Sequence, residues 1–245
     1  MQAMRDWLTA RPIAHRGLHD AAAGVVENTA SAFRAAVAGN YAIECDLQLS
    51  ADGEAMVHHD FVLGRLTEGR DRLDAMPAAA LKRVAFKAAA DRMQTLGELC
   101  ELVADRAALV LELKSRFDGD HRLAQRTAAV LAGYHGRVAV MSFDPGPIAA
   151  LRGLAPALCR GLVGQRRDPD ADHDAPPPAM NYARQAISAR PQFLAYRVQD
   201  LSSALPRFAR NVLGLPLLTW TVRTPADRAR ATGLADQMIF EGFRP

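Results

Sequence analysis

The sequence predicts an α/β protein of the (β/α)8 TIM barrel class, on three observations. Eight short apolar or β-branched runs punctuate the 245 residues, stretches with helical spacing separate them, and polar residues collect just past the ends of several runs. Parallel strands need a crossover connection between each pair, so this alternation is the pattern of βα units. Eight such units in about 250 residues fit a closed barrel. A doubly wound open sheet is the rival, but no glycine-rich turn follows the first run to favour it. The length suits one large unit, read here as a single barrel domain over residues 1–245 with an insertion at about 61–87.

The predicted strands are Pro12–His15, Ala42–Leu49, Leu109–Leu113, Val138–Phe143, Leu158–Val163, Phe193–Val198, Leu217–Val222 and Gln237–Glu241. After the first, Asn28 or Thr29 stands ready to cap a helix over Ala30–Ala38, with Gly39 to stop it. Thr95, with Glu98 three residues on, forms a capping box for another. Thr224-Pro225 opens a third with proline at the first helical position, and Gly233 is expected to close it.

Ala55–His59 follows the second strand after only a short loop at 51–54, too short for a parallel crossover, so it predicts a hairpin. Pairing 50 with 55 sets 46 against 59, so Asp46 is expected to face His59, with Glu44 on the same face and His58 pointing away. Residues 61–87 read as an inserted loop or lid of turns and charges. Gln165–Met180 carries Asp168, Asp170, Asp172, His173 and Asp174 before three prolines. It lacks the glycine and terminal glutamate of a calcium loop and reads as a solvated, proline-stiffened loop.

With 49% hydrophobic and 23% charged residues, disordered and collagen-like chains are excluded. Cys45, Cys100 and Cys159 are odd in number and far apart, which suggests half-buried thiols in a reducing compartment rather than disulfides or a zinc knuckle. No signal-like apolar region opens the chain and no run approaches the roughly 18 apolar residues of a membrane span, so a cytoplasmic protein is expected. The net charge is +3, yet the basic residues are scattered, which argues against nucleic acid and leaves a modest attraction for small anionic substrates. Only Lys82, Lys87 and Lys114 of the 30 basic residues are lysine.

Barrel chemistry belongs at the C-terminal ends of the strands, and there stand His15, Arg16 and Gly17, then Glu44 and Asp46, then Glu112 and Lys114. A carboxylate at the end of a buried strand costs several kcal/mol to desolvate unless a cation or donor meets it. Any one of them would be met by Arg16 or Lys114. Three together form an all-oxygen group suited to Mg²⁺ or Ca²⁺. An imidazole ordinarily titrates near neutrality, so the residue types of His15 and His59 suit them to flank a substrate as acid and base.

These residues sit in an ordered set of motifs that resembles the glycerophosphodiester phosphodiesterases over nearly the whole chain: IAHRG at 13–17, ENTASAF at 27–33, IECDLQLSADG at 43–53 and VHHD at 57–60. TLGELC at 95–100, LELK at 111–114 and TWTV at 219–222 continue it. The resemblance implies a barrel phosphodiesterase in which His15 and His59 are the acid–base pair, Arg16 and Lys114 bind the phosphate, and Glu44, Asp46 and Glu112 hold one divalent cation, Mg²⁺ or Ca²⁺. It further implies that Glu27 supports the site and that Trp220 lines the substrate mouth. The implied substrates are glycerophosphodiesters such as glycerophosphocholine or glycerophosphoethanolamine, cleaved to glycerol 3-phosphate and an alcohol.

Two features depart from the family pattern. After the last strand the family usually has a small or hydroxyl residue and then Asp, where this chain has Ile239-Phe240-Glu241-Gly242. His19 and His58 are extra histidines, His19 on a loop. An alternative activity on the same barrel is lysophospholipase D or sphingomyelinase D-like, for which Phe61, Val62, Leu63 and Leu66 would have to contribute an apolar groove. A binding protein without turnover would be expected to have lost one of His15, His59 or the acidic residues, and all are present.

Overall fold

The computed structural model describes residues 6–166 and 179–245. Its strands are β1 (Ile13–Ala14), β2 (Ala42–Leu49), β3 (Ala55–Val57), β4 (Leu109–Leu113), β5 (Val138–Ser142), β6 (Cys159–Gly164), β7 (Phe193–Arg197), β8 (Leu217–Val222) and β9 (Gln237–Phe240). Eight of them pair in parallel in the order β1-β9-β8-β7-β6-β5-β4-β2, and β1 pairs with β2 to close the ring. β3 lies antiparallel on β2, outside the ring. The helices are α1 (Ala30–Ala38), α2 (Ala78–Leu81), α3 (Leu96–Val103), α4 (Arg122–Leu131), α5 (Pro145–Leu154), α6 (Ala179–Ala189), α7 (Ala204–Asn211) and α8 (Pro225–Leu234). The acidic run from Asp168 to Asp174 lies outside the described residues.

The alternation of strand side chains builds two apolar layers. On β4, Leu109, Leu111 and Leu113 face outward to the helices, with Ile43, Cys45 and Leu47 of β2 beside them. Val110 faces inward with Ala42, Ala139, Met141, Phe193, Ala195, Leu218 and Ile239, and Leu8 joins them from the chain leading into β1. Each fully buried Leu or Ile contributes about 1.5–3 kcal/mol. The same parity turns Glu44, Asp46 and Gln48 of β2 and Glu112 of β4 inward. A charged residue is therefore forced into the barrel axis by the very pattern that packs its neighbours outside.

Helix starts follow their caps. The Thr29 side chain accepts from Ala32 N at the head of α1, and Thr95 and Glu98 form the reciprocal box of α3, whose Leu96, Leu99, Cys100 and Val103 are buried. Thr224 and Asp227 do the same for α8. That helix does not stop at Gly233. It continues to Leu234, because Ala231 and Ala235 pack against the outer layer and the Ala235 N–H still bonds the Ala231 carbonyl.

The hairpin register differs by one residue from the predicted pairing. Leu49 opposes Ala55 and Leu47 opposes Val57, so it is His58 whose N–H reaches the Asp46 carbonyl, at 3.1 Å. Ser50 bonds Glu54 and the turn is closed by Gly53 at φ +83°, so the loop has three residues, with a left-handed glycine taking up the extra twist. Consequently Asp46 does not face His59 across a ladder, and His58, expected to point away, is buried beside the site at 2% exposure. Residues 61–87 form a folded insertion: bridges join Val62 to Arg72 and Thr67 to Phe86, and Leu63, Leu73 and Leu81 share a small core with Met56 of β3 and Met93.

Candidate active site

The parallel register places the charged residues in two levels at one end of the barrel. Ala14 lies between Ile43 of β2 and Phe240 of β9, so His15, one residue on, is level with Glu44 on one side and Glu241 on the other. His15 Nδ1 is 2.6 Å from Glu241 Oε2, and its Nε2 is 3.9 Å from Glu44 Oε2. Burial holds the imidazole below its usual range although Glu241 pulls it upward. Burial would raise Glu241, but its hydrogen bonds with His15 and Arg223 bring it down to about 2. Together these describe an imidazole that donates Nδ1–H to the Glu241 carboxylate, with Nε2 on the side of Glu44.

One level higher, Asp46 on β2 is paired with Glu112 on β4. Lys114 Nζ lies 2.9 Å from Asp46 Oδ1 and 2.7 Å from Glu112 Oε1. Asp46 also meets Asn28 Nδ2 at 2.9 Å and Arg16 Nε at 3.2 Å. Burial alone would raise the Asp46 carboxyl; Lys114, then Arg16, hold it far below the usual carboxylate range, and Asp46 and Glu112 in return raise the buried lysine. Glu44 is the poorly neutralised member. It is 1% exposed and accepts the Arg16 N–H at 3.0 Å, while burial, Asp46 and Glu112 push its carboxyl well above its ordinary value.

Glu44, Asp46 and Glu112 bring one oxygen each within 4.8 Å of one another. A buried oxygen triad in which Glu44 makes no close ion pair with a lysine or arginine side chain fits a hard divalent cation.

The chain reaches this geometry through a tight exit from β1. Arg16 takes φ +55° and Gly17 φ +81°, and a Cβ on Gly17 would lie 2.8 Å from the Ala32 Cβ of α1. The glycine thus lets α1 press against the loop that aims Arg16 inward. Asn28, also left-handed at φ +56°, donates its own N–H to the Arg16 carbonyl and clasps Asp46 with both ends of its amide.

His59 stands past β3 with a side chain 33% exposed, and its Nδ1 is 2.8 Å from Asp60 Oδ1. Arg16 Nη1 donates to Glu27 Oε1 at 2.6 Å. Arg65 of the insertion also binds Glu27 and reaches Asp60, so His59 joins the cluster through ion pairs rather than directly. Trp220 lies on the wall, its indole N–H donating to the Ala195 carbonyl at 3.3 Å and its ring edge-on to Phe143.

Of the residues singled out in sequence, His15, Arg16, Glu27, Glu44, Asp46, Glu112 and Lys114 meet through direct contacts, whereas His59 and Trp220 flank them. Asn28 had been legible only as a cap. Asp60, Arg65 and Glu241 were not singled out; the signal for Asp60 is its place beside His59, and for Glu241 its register with His15. His19 is half-buried, its Nε2 without a hydrogen-bond partner among the described residues. Leu63 is committed to the insertion's own core, and the Arg116 guanidinium covers the Phe61 ring at 4.3 Å, so two of the four candidate groove residues are occupied.

The model of the glycerophosphoryl diester phosphodiesterase family matches residues 15–240. A glycerophosphodiester phosphodiesterase of Caldanaerobacter subterraneus subsp. tengcongensis is 32% identical over 163 residues, a match spanning 62% of this chain and 66% of that protein. Among solved structures, an Oleispira antarctica phosphodiesterase in complex with the product sn-glycerol-3-phosphate superposes with a TM-score of 0.77 at 20% identity, covering 96% of this chain and 94% of its own. A glycerophosphodiester phosphodiesterase of Thermotoga maritima gives 0.69 at 23% identity, covering 93% and 92%. At these identities the structural likeness is one of fold. Among the described residues no helix is long and apolar enough to cross a membrane.

Proposed function

The chain belongs to the glycerophosphoryl diester phosphodiesterase family, and from that premise we propose that it is a metal-dependent phosphodiesterase releasing glycerol 3-phosphate and an alcohol from small glycerophosphodiesters. The observation that carries this reading is the convergence of one acidic triad, two inward cations and two carboxylate-anchored histidines at the C-terminal end of one barrel.

Each residue has a task that its geometry suits. Glu44, Asp46 and Glu112 would hold the cation, Mg²⁺ or Ca²⁺. When bound there, it supplies Lewis-acid stabilisation of a phosphoryl oxygen. Arg16 offers a planar fork and Lys114 a point charge to the negative charge that grows on the phosphate in the transition state. His15 and His59 each have Nδ1 tied to a carboxylate, which fixes the ring and directs Nε2 to the substrate. One takes the proton of the nucleophile, either water or the glycerol 2-hydroxyl, and the other protonates the leaving alkoxide. Trp220 and Glu27 are read as wall and support.

The test is glycerol 3-phosphate release from glycerophosphocholine and glycerophosphoethanolamine, coupled to a dehydrogenase, after EDTA and with Mg²⁺ or Ca²⁺ restored. Turnover dependent on the ion supports the reading. Activity on lysophospholipids alone would replace it with the lysophospholipase D alternative. Binding without turnover would replace it with a phosphodiester-binding protein.

A further inference from the structure

Arg65 comes from the insertion, five residues past Asp60, and its guanidinium bridges two carboxylates. Nη2 donates to Glu27 Oε1 at 2.6 Å, Nη1 to Glu27 Oε2 at 3.3 Å and Nε to Asp60 Oδ2 at 2.7 Å. Neither carboxylate ends there. Glu27 Oε1 also takes the Arg16 Nη1 donor at 2.6 Å, and Asp60 Oδ1 holds His59 Nδ1 at 2.8 Å. A continuous chain of charge-assisted contacts therefore runs Arg16, Glu27, Arg65, Asp60, His59. One end is a candidate phosphate-binding cation, which also touches Asp46, and the other is a candidate acid–base histidine.

We propose that Arg65 is a positioning residue for the phosphodiesterase reaction, setting the spacing of Glu27 and Asp60 so that Arg16 and His59 address the same phosphate. The inference rests on the functional reading above and extends it to a residue outside the barrel. Arg65 is the residue through which the insertion enters this run of contacts, so the seat of the insertion and the aim of His59 are coupled there. Without Arg65, Asp60 would keep only His59 as a side-chain partner and be free to swing with it, while Glu27 would be held by Arg16 alone, so the spacing of the two carboxylates would no longer be set.

The residue type is specific to the task. Spanning two carboxylates in fixed directions needs several donors in a rigid plane, which guanidinium has and ammonium lacks. Exposure separates this role from a stabilising one. The Arg65 side chain is 46% exposed, so its removal leaves no cavity, and melting measured beside kcat separates a positioning loss from a folding one. A misplacement of about 1 Å in a catalytic group, by contrast, costs on the order of 10²-fold in rate.

The experiment compares wild type, Arg65→Ala, Arg65→Lys and, as a control within the insertion, Arg72→Ala, which removes an exposed pair with Asp74. kcat and KM are measured on a glycerophosphodiester, with thermal melting of each protein. Arg65→Ala is expected to lose about 10- to 100-fold in kcat with melting nearly unchanged, and to regain activity with millimolar guanidinium chloride but not with equal sodium chloride. Arg65→Lys should remain impaired and Arg72→Ala should match wild type. Arg65→Ala with kcat and KM within about twofold of an active wild type would overturn the inference alone, as would equal losses in Arg65→Ala and Arg72→Ala or a loss that guanidinium does not relieve. A folded wild type inactive on every glycerophosphodiester would overturn the functional reading, and the inference with it.

Discussion

Replacing Lys114 with methionine removes the cation that Asp46 and Glu112 share. Its Nζ is 2.9 Å from one carboxylate and 2.7 Å from the other, and the Asp46 side chain is 1% exposed. Methionine keeps the apolar stem and leaves two buried acids facing each other. Removing one partner of a buried ion pair costs about 3–5 kcal/mol. In a chain of this size each kcal/mol moves Tm by about 2–4 °C, so Lys114→Met in EDTA at pH 8 should melt roughly 6–20 °C below wild type. Proton uptake by the stranded carboxylates relieves the strain, so the gap should narrow as pH falls toward 5. A divalent ion does the same by supplying charge: an ion at a hundred times its Kd stabilises by about 2.7 kcal/mol, and the variant, whose acids lack a competing cation, should gain more than wild type. Differential scanning fluorimetry with EDTA and then with Mg²⁺ or Ca²⁺ measures both effects. A variant melting within about 2 °C of wild type in EDTA, or gaining no more from the ion than wild type does, would refute the shared-cation geometry.

Three further outcomes follow from the same geometry. His59→Ala should lower kcat by at least about 10²-fold with Tm retained, because the ring is partly exposed and its loss leaves no cavity; near-normal turnover would remove His59 from the acid–base pair. Gly17→Ala places a methyl 2.8 Å from Ala32 Cβ at φ +81°, and overpacking with left-handed strain should cost about 2–4 kcal/mol, read as a fall in the denaturant midpoint together with activity. Burial lowers the His58 imidazole to about 4. Unfolded His58 takes a proton near its ordinary value, so between roughly pH 6.5 and 4 the unfolded chain binds more protons and stability is lost as the pH is lowered; His58→Gln should flatten that part of the urea-derived stability profile, and an unchanged slope would contradict it.

What was legible in the sequence is what one strand or helix encodes by itself. The bounds of β2, β4 and β8 follow from short apolar and β-branched runs, and the α3 and α8 starts from their capping residues. Strand-end chemistry was legible because a carboxylate interrupts an otherwise apolar period in LVLEL and AIECDLQL. The hairpin register was not, since whether Gly53 adopts φ +83° decides between a three- and a four-residue loop. Glu241 looked like a departure in the closing loop. Only the β1–β9 register shows that its longer side chain reaches His15. Asn28 and Arg65 act through partners 18 and 38 residues away, and such convergence is a property of the closed barrel and not of any local pattern.

The most direct measurement is glycerol 3-phosphate release from glycerophosphocholine and glycerophosphoethanolamine by the purified chain, stripped with EDTA and then given Mg²⁺ or Ca²⁺. Loss of turnover on stripping and its return with one ion is the predicted result. No release from folded protein with either ion would contradict a metal-dependent glycerophosphodiester phosphodiesterase.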